Sequence, residues 1–233
     1  MGMRRRIVGV IGVTALVTAL VAGCSSSGST DGGGPLPDGT ALTRDASAAT
    51  KNIKSAHFTL KVNGTVPAIP VQDADGDLTR EGGPSGAAKG TVKLTLMGQL
   101  IEGEFVLVDG SLYIKGPTGG FSKYPASLSS SIYDPSAILD PDKGIANVLA
   151  KVQNPRTEAA ESVAGADTYK VSGKVAQDVV AKVVPGVNAD VDVTLWVRKD
   201  NKQPVKASVK MPGDGSVDLT LSDVDKPVSI TAP

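Results

Sequence analysis

The sequence predicts an α+β domain, a large curved antiparallel sheet with short helices over its concave face. Three observations predict it. About ten short runs alternate apolar and polar residues with period two, which gives each strand one dry face and one wet face. Turn residues separate these runs at hairpin spacing. The strongest is Asp109-Gly110, because a type I′ turn needs positive φ at both central positions. A few segments repeat instead at helical spacing. The clearest places Ile145, Val148, Leu149 and Val152 along one side of a helix opening at Asp140-Pro141 and running through Lys151.

The central run is the best defined. Ala88, Gly90, Val92, Leu94 and Leu96 alternate with Lys89, Thr91, Lys93 and Thr95. After Met97-Gly98, residues Ile101, Gly103, Phe105 and Leu107 alternate with Glu102, Glu104 and Val106, and Asp109-Gly110 turns the chain into Leu112 and Ile114. This hairpin is wet on one face, and something apolar must cover the other.

The chain begins with a targeting pattern. Arg4, Arg5 and Arg6 precede an uncharged run, residues 7–22, that is shorter than a bilayer span. Val21-Ala22-Gly23-Cys24 then matches a bacterial lipobox, so residues 1–23 are expected to be a lipoprotein signal peptide and Cys24 the acylated N-terminus. Cys24 is the only cysteine, which excludes an intramolecular disulfide. Without the three arginines, 21 Lys and Arg face 24 Asp and Glu, a net charge of −3. That charge is no footprint for nucleic acid or an anionic membrane, and stable attachment needs two or more acyl chains. Residues 24–40, rich in Ser, Gly and Asp, read as an acylated flexible tether, and residues 41–233 as one folded domain.

Within the domain, Leu42, Ala46, Ala49 and Ile53 predict a helix over residues 42–54. Phe58, Leu60 and Val62 form a strand that Pro67 and Pro70 end, and residues 71–80 form a weaker one. Residues 116–131, rich in Gly, Ser and Pro, read as a long mobile or entry loop. Asp134-Pro135 and Asp140-Pro141 each put an N-cap acceptor before a helix-starting proline. Strands are predicted over residues 157–163 and 169–175, joined at Ala164-Gly165-Ala166-Asp167. A short helix carrying Val179, Val180, Val183 and Val184 follows, stopped by Pro185-Gly186. Three strands, around residues 191–197, 205–211 and 217–221, finish the chain.

No catalytic constellation emerges. There is no Gly-x-Ser-x-Gly, no P-loop and only one histidine, His57, while Glu102 and Glu104 share a solvated strand face. Asp73, Asp75 and Asp77 lack the glycine and distal glutamate of a calcium loop and share a wet face. Neither a metal nor a cofactor is expected. The sequon Asn63-Gly64-Thr65 reads as a strand end. Aromatic residues are only 3% of the chain, so the faces are lined by small aliphatics that leave space. From the residues alone, the concave face is either filled by side chains or receives a ligand.

The segment Ile132-Tyr133-Asp134-Pro135 through Leu139-Asp140-Pro141, Lys143-Gly144 and Ile145-Ala146-Asn147-Val148-Leu149-Ala150 resembles the mycobacterial LppX/LprA/LprF/LprG lipoprotein family. So do Lys54-Ser55-Ala56-His57 and Val92-Lys93-Leu94-Thr95-Leu96, and a looser similarity runs from Gly34 to near the C-terminus. The resemblance implies a LolA/LolB-like half-barrel around a hydrophobic cavity, and a non-enzymatic carrier of triacylated glycolipids or triacylglycerol in the cell envelope. It further implies anchoring on the extracytoplasmic face, possible presence in the cell wall, and work beside a major-facilitator efflux pump. Val92, Leu94, Leu96, Ile101, Phe105 and Leu107, with Ile145, Val148 and Leu149 of the covering helix, are then expected to line the acyl cavity. Val92 is the position where a large side chain should block it. The sugar headgroup would stay near residues 116–131 and the start of the Asp140 helix. The alternative is an interaction lipoprotein that meets a membrane partner through its sheet edge and carries no lipid.

Overall fold

The computed structural model describes residues 34–233 except 65, 67, 68, 84, 85, 97, 128–134, 185, 186 and 212, and the side chain of Leu96. The signal segment, Cys24, Thr65 of the sequon and Asp134 lie outside the described residues. The first helix, α1 (Gly39–Thr50), starts before the expected Leu42. Asp38 accepts a hydrogen bond from the amide of Ala41 at 2.8 Å and caps it. A Cβ at position 39 would lie 2.4 Å from the carbonyl oxygen of Pro155, so only glycine lets the helix start against that strand. The helix stops at Thr50, and Ile53, fully buried, lies beyond its end.

Eleven strands follow among the described residues, all in one antiparallel sheet: β1 (Ser55–Asn63), β2 (Val71–Thr79), β3 (Ala87–Leu96), β4 (Gln99–Val108), β5 (Ser111–Lys115), β6 (Ser122–Pro125), β7 (Gln153–Val163), β8 (Ala166–Val175), β9 (Val191–Arg198), β10 (Pro204–Lys210) and β11 (Ser216–Ser222). Their spatial order is β6-β5-β4-β3-β2-β1-β11-β10-β9-β8-β7. Two meanders are thus joined at the middle, where β1 pairs with β11. To pass from β6 at one edge to β7 at the other, the chain must cross the sheet. The crossing segment carries a 3₁₀ turn (Pro135–Leu139) and the helix α2 (Ile145–Ala150), and these cover the inner face.

Turn chemistry sets the hairpins. Asp109 and Gly110 have φ of 50° and 69°, the positive pair a type I′ turn requires. The link between β7 and β8 is tighter than the four residues expected. Ala164 and Gly165 alone make the turn, at φ 50° and 77°, and Ala166 and Asp167 already pair in β8.

Three further expectations are corrected. Part of the 116–131 segment is β6, an exposed edge strand paired to β5, which raises the count from about ten strands to eleven. Its polar residues and Pro125 suit an edge that must not recruit another strand. Asp140 does not open a helix. Its carboxylate accepts from the amides of Asp142 (2.8 Å) and Lys143 (3.0 Å) and caps a turn, and α2 begins only at Ile145. Pro135 begins a 3₁₀ turn.

Two glycines face each other across neighbouring strands near the middle of the pocket wall. Gly76 of β2 faces Gly90 of β3 between Phe58 of β1 and Phe105 of β4. A Cβ on Gly76 would lie 2.1 Å from the Lys89 carbonyl oxygen, and one on Gly90 2.1 Å from that of Asp75. The missing side chains let the two backbones close on the inner side, as at a barrel corner. Helix α1 packs on α2 and β7, and Ser47 donates to the Ala146 carbonyl at 2.8 Å within that contact. The 3₁₀ turn packs on β2 and β3, and α3 (Gln177–Val180) packs on α2.

Candidate functional site

An apolar pocket lies between the inner face of β1–β5 and the 3₁₀ turn. Register builds it. Phe58 lies across the glycine pair from Phe105, Ala74 opposite Val92, and Val71 opposite Leu94. Leu107 faces Leu112 and Phe105 faces Ile114. Pro135 of the 3₁₀ turn contributes to its wall. Every lining residue is apolar, so the pocket offers no group to hydrogen-bond a polar ligand or to move a proton.

Of the residues singled out in the sequence, Val92, Leu94, Phe105 and Leu107 line this pocket. Ile101 is half-buried opposite Leu94 and is not in the lining, and the Leu96 side chain lies outside the described residues. Ile145, Val148 and Leu149 are not in the lining either. They are buried in the general core on α2, which packs on α1. Phe58, Val71, Ala74, Leu112, Ile114 and Pro135 complete the lining and were not singled out. Alternation on β1 marked Phe58 as inward-facing, but the three aspartates of β2 masked Val71 and Ala74.

The pocket is small. Its volume is about 80 Å³.

The outer face is polar and ion-paired. Lys93 meets Glu102 at 2.9 Å and Lys115 meets Glu104 at 2.8 Å. His57 lies between Asp77 (3.0 Å) and Asp75 (3.4 Å), and Asp75 also accepts from Thr59. Burial pulls the His57 pKa down, but the hydrogen bond to Asp77 and the two carboxylate charges outweigh it and hold the group above its usual value. At the β9–β10 turn, hydrogen bonds from Arg198 and the Asn201 amide hold exposed Asp200 at about 2. Exposed pairs of this kind add little stability. Among the described residues, no group of three or more His, Cys, Asp or Glu is placed to hold a metal ion.

An open eleven-stranded sheet folded round a wholly apolar pocket defines a half-barrel pocket protein, with a polar exterior and a binding space that makes no polar demand. The sequence narrows this class. The model of the LppX_LprAFG lipoprotein family matches residues 38–230, and the chain belongs to that family. The lipoarabinomannan carrier protein LprG of Mycolicibacterium smegmatis is 42% identical over 225 residues, covering 95% of this chain and 93% of that protein. The protein of the same name in Mycobacterium tuberculosis is 39% identical over 231 residues, covering 98% and 95%. Among solved structures, LprF of Mycobacterium bovis has a TM-score of 0.77 at 30% identity, over 86% of this chain and 99% of that one. Lipoprotein LppX of Mycobacterium tuberculosis shares the fold, with a TM-score of 0.63 at 24% identity over 82% and 97%.

Proposed function

We propose that this protein is a membrane-anchored lipid carrier that holds the acyl chains of triacylated glycolipids or triacylglycerol on the inner face of its sheet and moves them through the cell envelope. The observation that carries the reading is the wholly apolar lining, in a chain that matches lipoarabinomannan carriers over nearly its full length. A 16-carbon chain leaving a bilayer forfeits on the order of 13 kcal/mol at ~0.8 kcal/mol per methylene, so transfer needs a second apolar phase, not a catalytic group. In this reading Val92, Leu94, Phe105 and Leu107 contact acyl chains, together with Phe58 and Val71.

No helix among the described residues is long and apolar enough to cross a membrane. Attachment is assigned to acylated Cys24 after removal of residues 1–23, with residues 24–40 as the tether and the domain on the extracytoplasmic face. A major-facilitator efflux pump is the proposed membrane partner, on the strength of the family resemblance. The test is native mass spectrometry with lipid extraction on a Cys24→Ala form from a mycobacterial host, beside its Val92→Trp variant. Triacyl lipid in the first and not the second supports the reading. Lipid in both moves the site. Two empty proteins overturn it in favour of an interaction lipoprotein, for which exposed β6 is the available edge.

A further inference from the structure

The two faces of β1 and β2 alternate residue by residue. On the inner side Phe58 and Ala74 line the pocket, and Phe58 stands opposite Gly76. On the outer side the residues between them form one cluster. His57 lies opposite Asp77 and Thr59 opposite Asp75, so the two carboxylates flank Gly76 along β2. Nδ1 of His57 is 3.0 Å from Asp77 and Nε2 is 3.4 Å from Asp75, so one ring bridges both carboxylates across Gly76. Asp75 also accepts from Thr59 at 3.0 Å. Neighbouring strands add further charges. On β3, Lys89 faces Asp77 and Thr91 faces Asp75, and Lys89 donates to the Ser229 carbonyl at 3.2 Å. On β4, Glu104 faces Thr91 and pairs with Lys115 of β5. On β11, Ser222 faces His57. Asp223 follows it, paired with Lys226 at 2.7 Å and within electrostatic reach of His57. An open groove on this face brings solvent to the imidazole, whose side chain is 31% exposed.

A ring with both nitrogens set against carboxylates makes a chemical demand. Neutral imidazole has one N–H and one lone pair, and only imidazolium donates from both nitrogens. We propose that His57 is a proton-controlled clamp on the pocket wall: protonated, it ties Asp75 and Asp77 together across Gly76 and holds the Phe58–Gly76 rung in place, and on losing a proton it releases Asp75 and loosens the wall around bound cargo. The proposal rests on the carrier reading and says what controls retention of the cargo. The geometry fixes which contact is lost. The shorter one, Nδ1 to Asp77, keeps the remaining proton, so the Nε2 lone pair then faces the Asp75 carboxylate and the two repel. Asp75 lies between Ala74 and Gly76 in the chain, so its displacement carries the lining residue Ala74 with it. On the inner side, Gly76 and Gly90 have no side chains with which to prop the rung. Burial weakens the hold of His57 on its second proton, but the Asp77 hydrogen bond and the two carboxylate charges outweigh it, so the proton leaves above the usual 6.5. His57 is the only histidine, and no other imidazole titrates with it. It is a positioning residue, acting through Asp75 and Ala74 and not on the lipid itself.

The test uses the acylated full chain on phosphatidylcholine vesicles, loaded with fluorescent triacylglycerol. Release of the probe to excess acceptor vesicles is timed at about pH 5.5 and about pH 9, either side of the imidazole range. Wild type should release about threefold faster at the higher pH, the worth of one modest hydrogen bond. His57→Gln cannot titrate and should release at the fast rate at both. Asp75→Asn should release at the slow rate at both, because its amide donates to the neutral Nε2. A histidine with a merely structural role would not split these two variants in opposite directions. Nitrogen NMR of the His57 ring reads the clamp without lipid: N–H at both nitrogens at the lower pH, and at Nδ1 alone at the higher. An Nε2–H tautomer at the higher pH overturns the clamp. So does a wild-type release rate equal at both pH values, a pH dependence that survives in His57→Gln, or an Asp75→Asn protein as fast as His57→Gln. Each of these leaves the carrier reading intact. A wild-type protein that takes up no probe at either pH overturns the carrier reading and the control of cargo with it.

Discussion

Val92→Trp separates a binding defect from a folding defect. Val92 is half-buried, sits opposite Ala74 and lines a pocket with only about 80 Å³ of room. An indole there points into existing space before it meets packed core. The overpacking cost should fall at the low end of the usual range, about 1 kcal/mol. For a domain of this size that lowers Tm by roughly 2–4 °C. Bound lipid, by contrast, should drop to background, because the same indole occupies the space that acyl chains would enter. The neighbouring exposed residue gives the control: Thr91→Trp, on the outer face of the same strand, should keep both lipid and Tm. The assay is thermal melting by circular dichroism beside lipid stoichiometry by native mass spectrometry. A Val92→Trp protein that melts within a few degrees of wild type and still carries its full lipid load would refute the assignment of the pocket. So would a Thr91→Trp protein that loses its lipid to the same extent.

Other outcomes follow from the same geometry. Gly76→Ala puts a methyl 2.1 Å from the Lys89 carbonyl oxygen, so the strands must separate, and urea unfolding should show a loss of about 2–3 kcal/mol. Ser47→Ala removes the side-chain donor to the Ala146 carbonyl that ties α1 to α2 and should cost about 1 kcal/mol in the same measurement. Ala164→Gly relieves an alanine held at φ 50° and should raise stability by about 0.5–1 kcal/mol; a lower melting temperature would contradict that view of the turn. His57 has a folded pKa raised above its unfolded value near 6.5, so protonation favours the folded state. Its contribution is full below the unfolded pKa and fades as pH rises through the folded one. The stability gap between wild type and His57→Ala should therefore be larger at acidic than at alkaline pH, and a gap that widens toward alkaline pH would reverse the assignment.

The inward face of the central hairpin was legible because strand periodicity is local. Leu94 opposite Ile101 and Phe105 opposite Gly90 follow from a two-residue repeat and a short turn. The β4–β5 turn was legible for the same reason, since the φ values at Asp109 and Gly110 are set by the residues themselves. The other half of the pocket was not. Val71 and Ala74 lie on a strand whose aspartates hide its dry face, and they reach the site only because β2 packs beside β3. The stripe on α2 was visible, but a stripe does not name its neighbours, and α1 is one of them.

The sequence by itself determined which residues of the central hairpin face inward, where that hairpin turns into β5 and that its inner face carries no polar chemistry, because each of these depends on neighbours within a few positions along the chain. Tertiary structure decided the rest. Pairing of β1 with β11 joined two meanders into one sheet, the crossing from β6 to β7 placed the Pro135–Leu139 turn over the pocket, and the Gly76–Gly90 pair set the corner at which it closes. These contacts join residues far apart in the chain, and their identity is fixed only when all the strands compete for the same core.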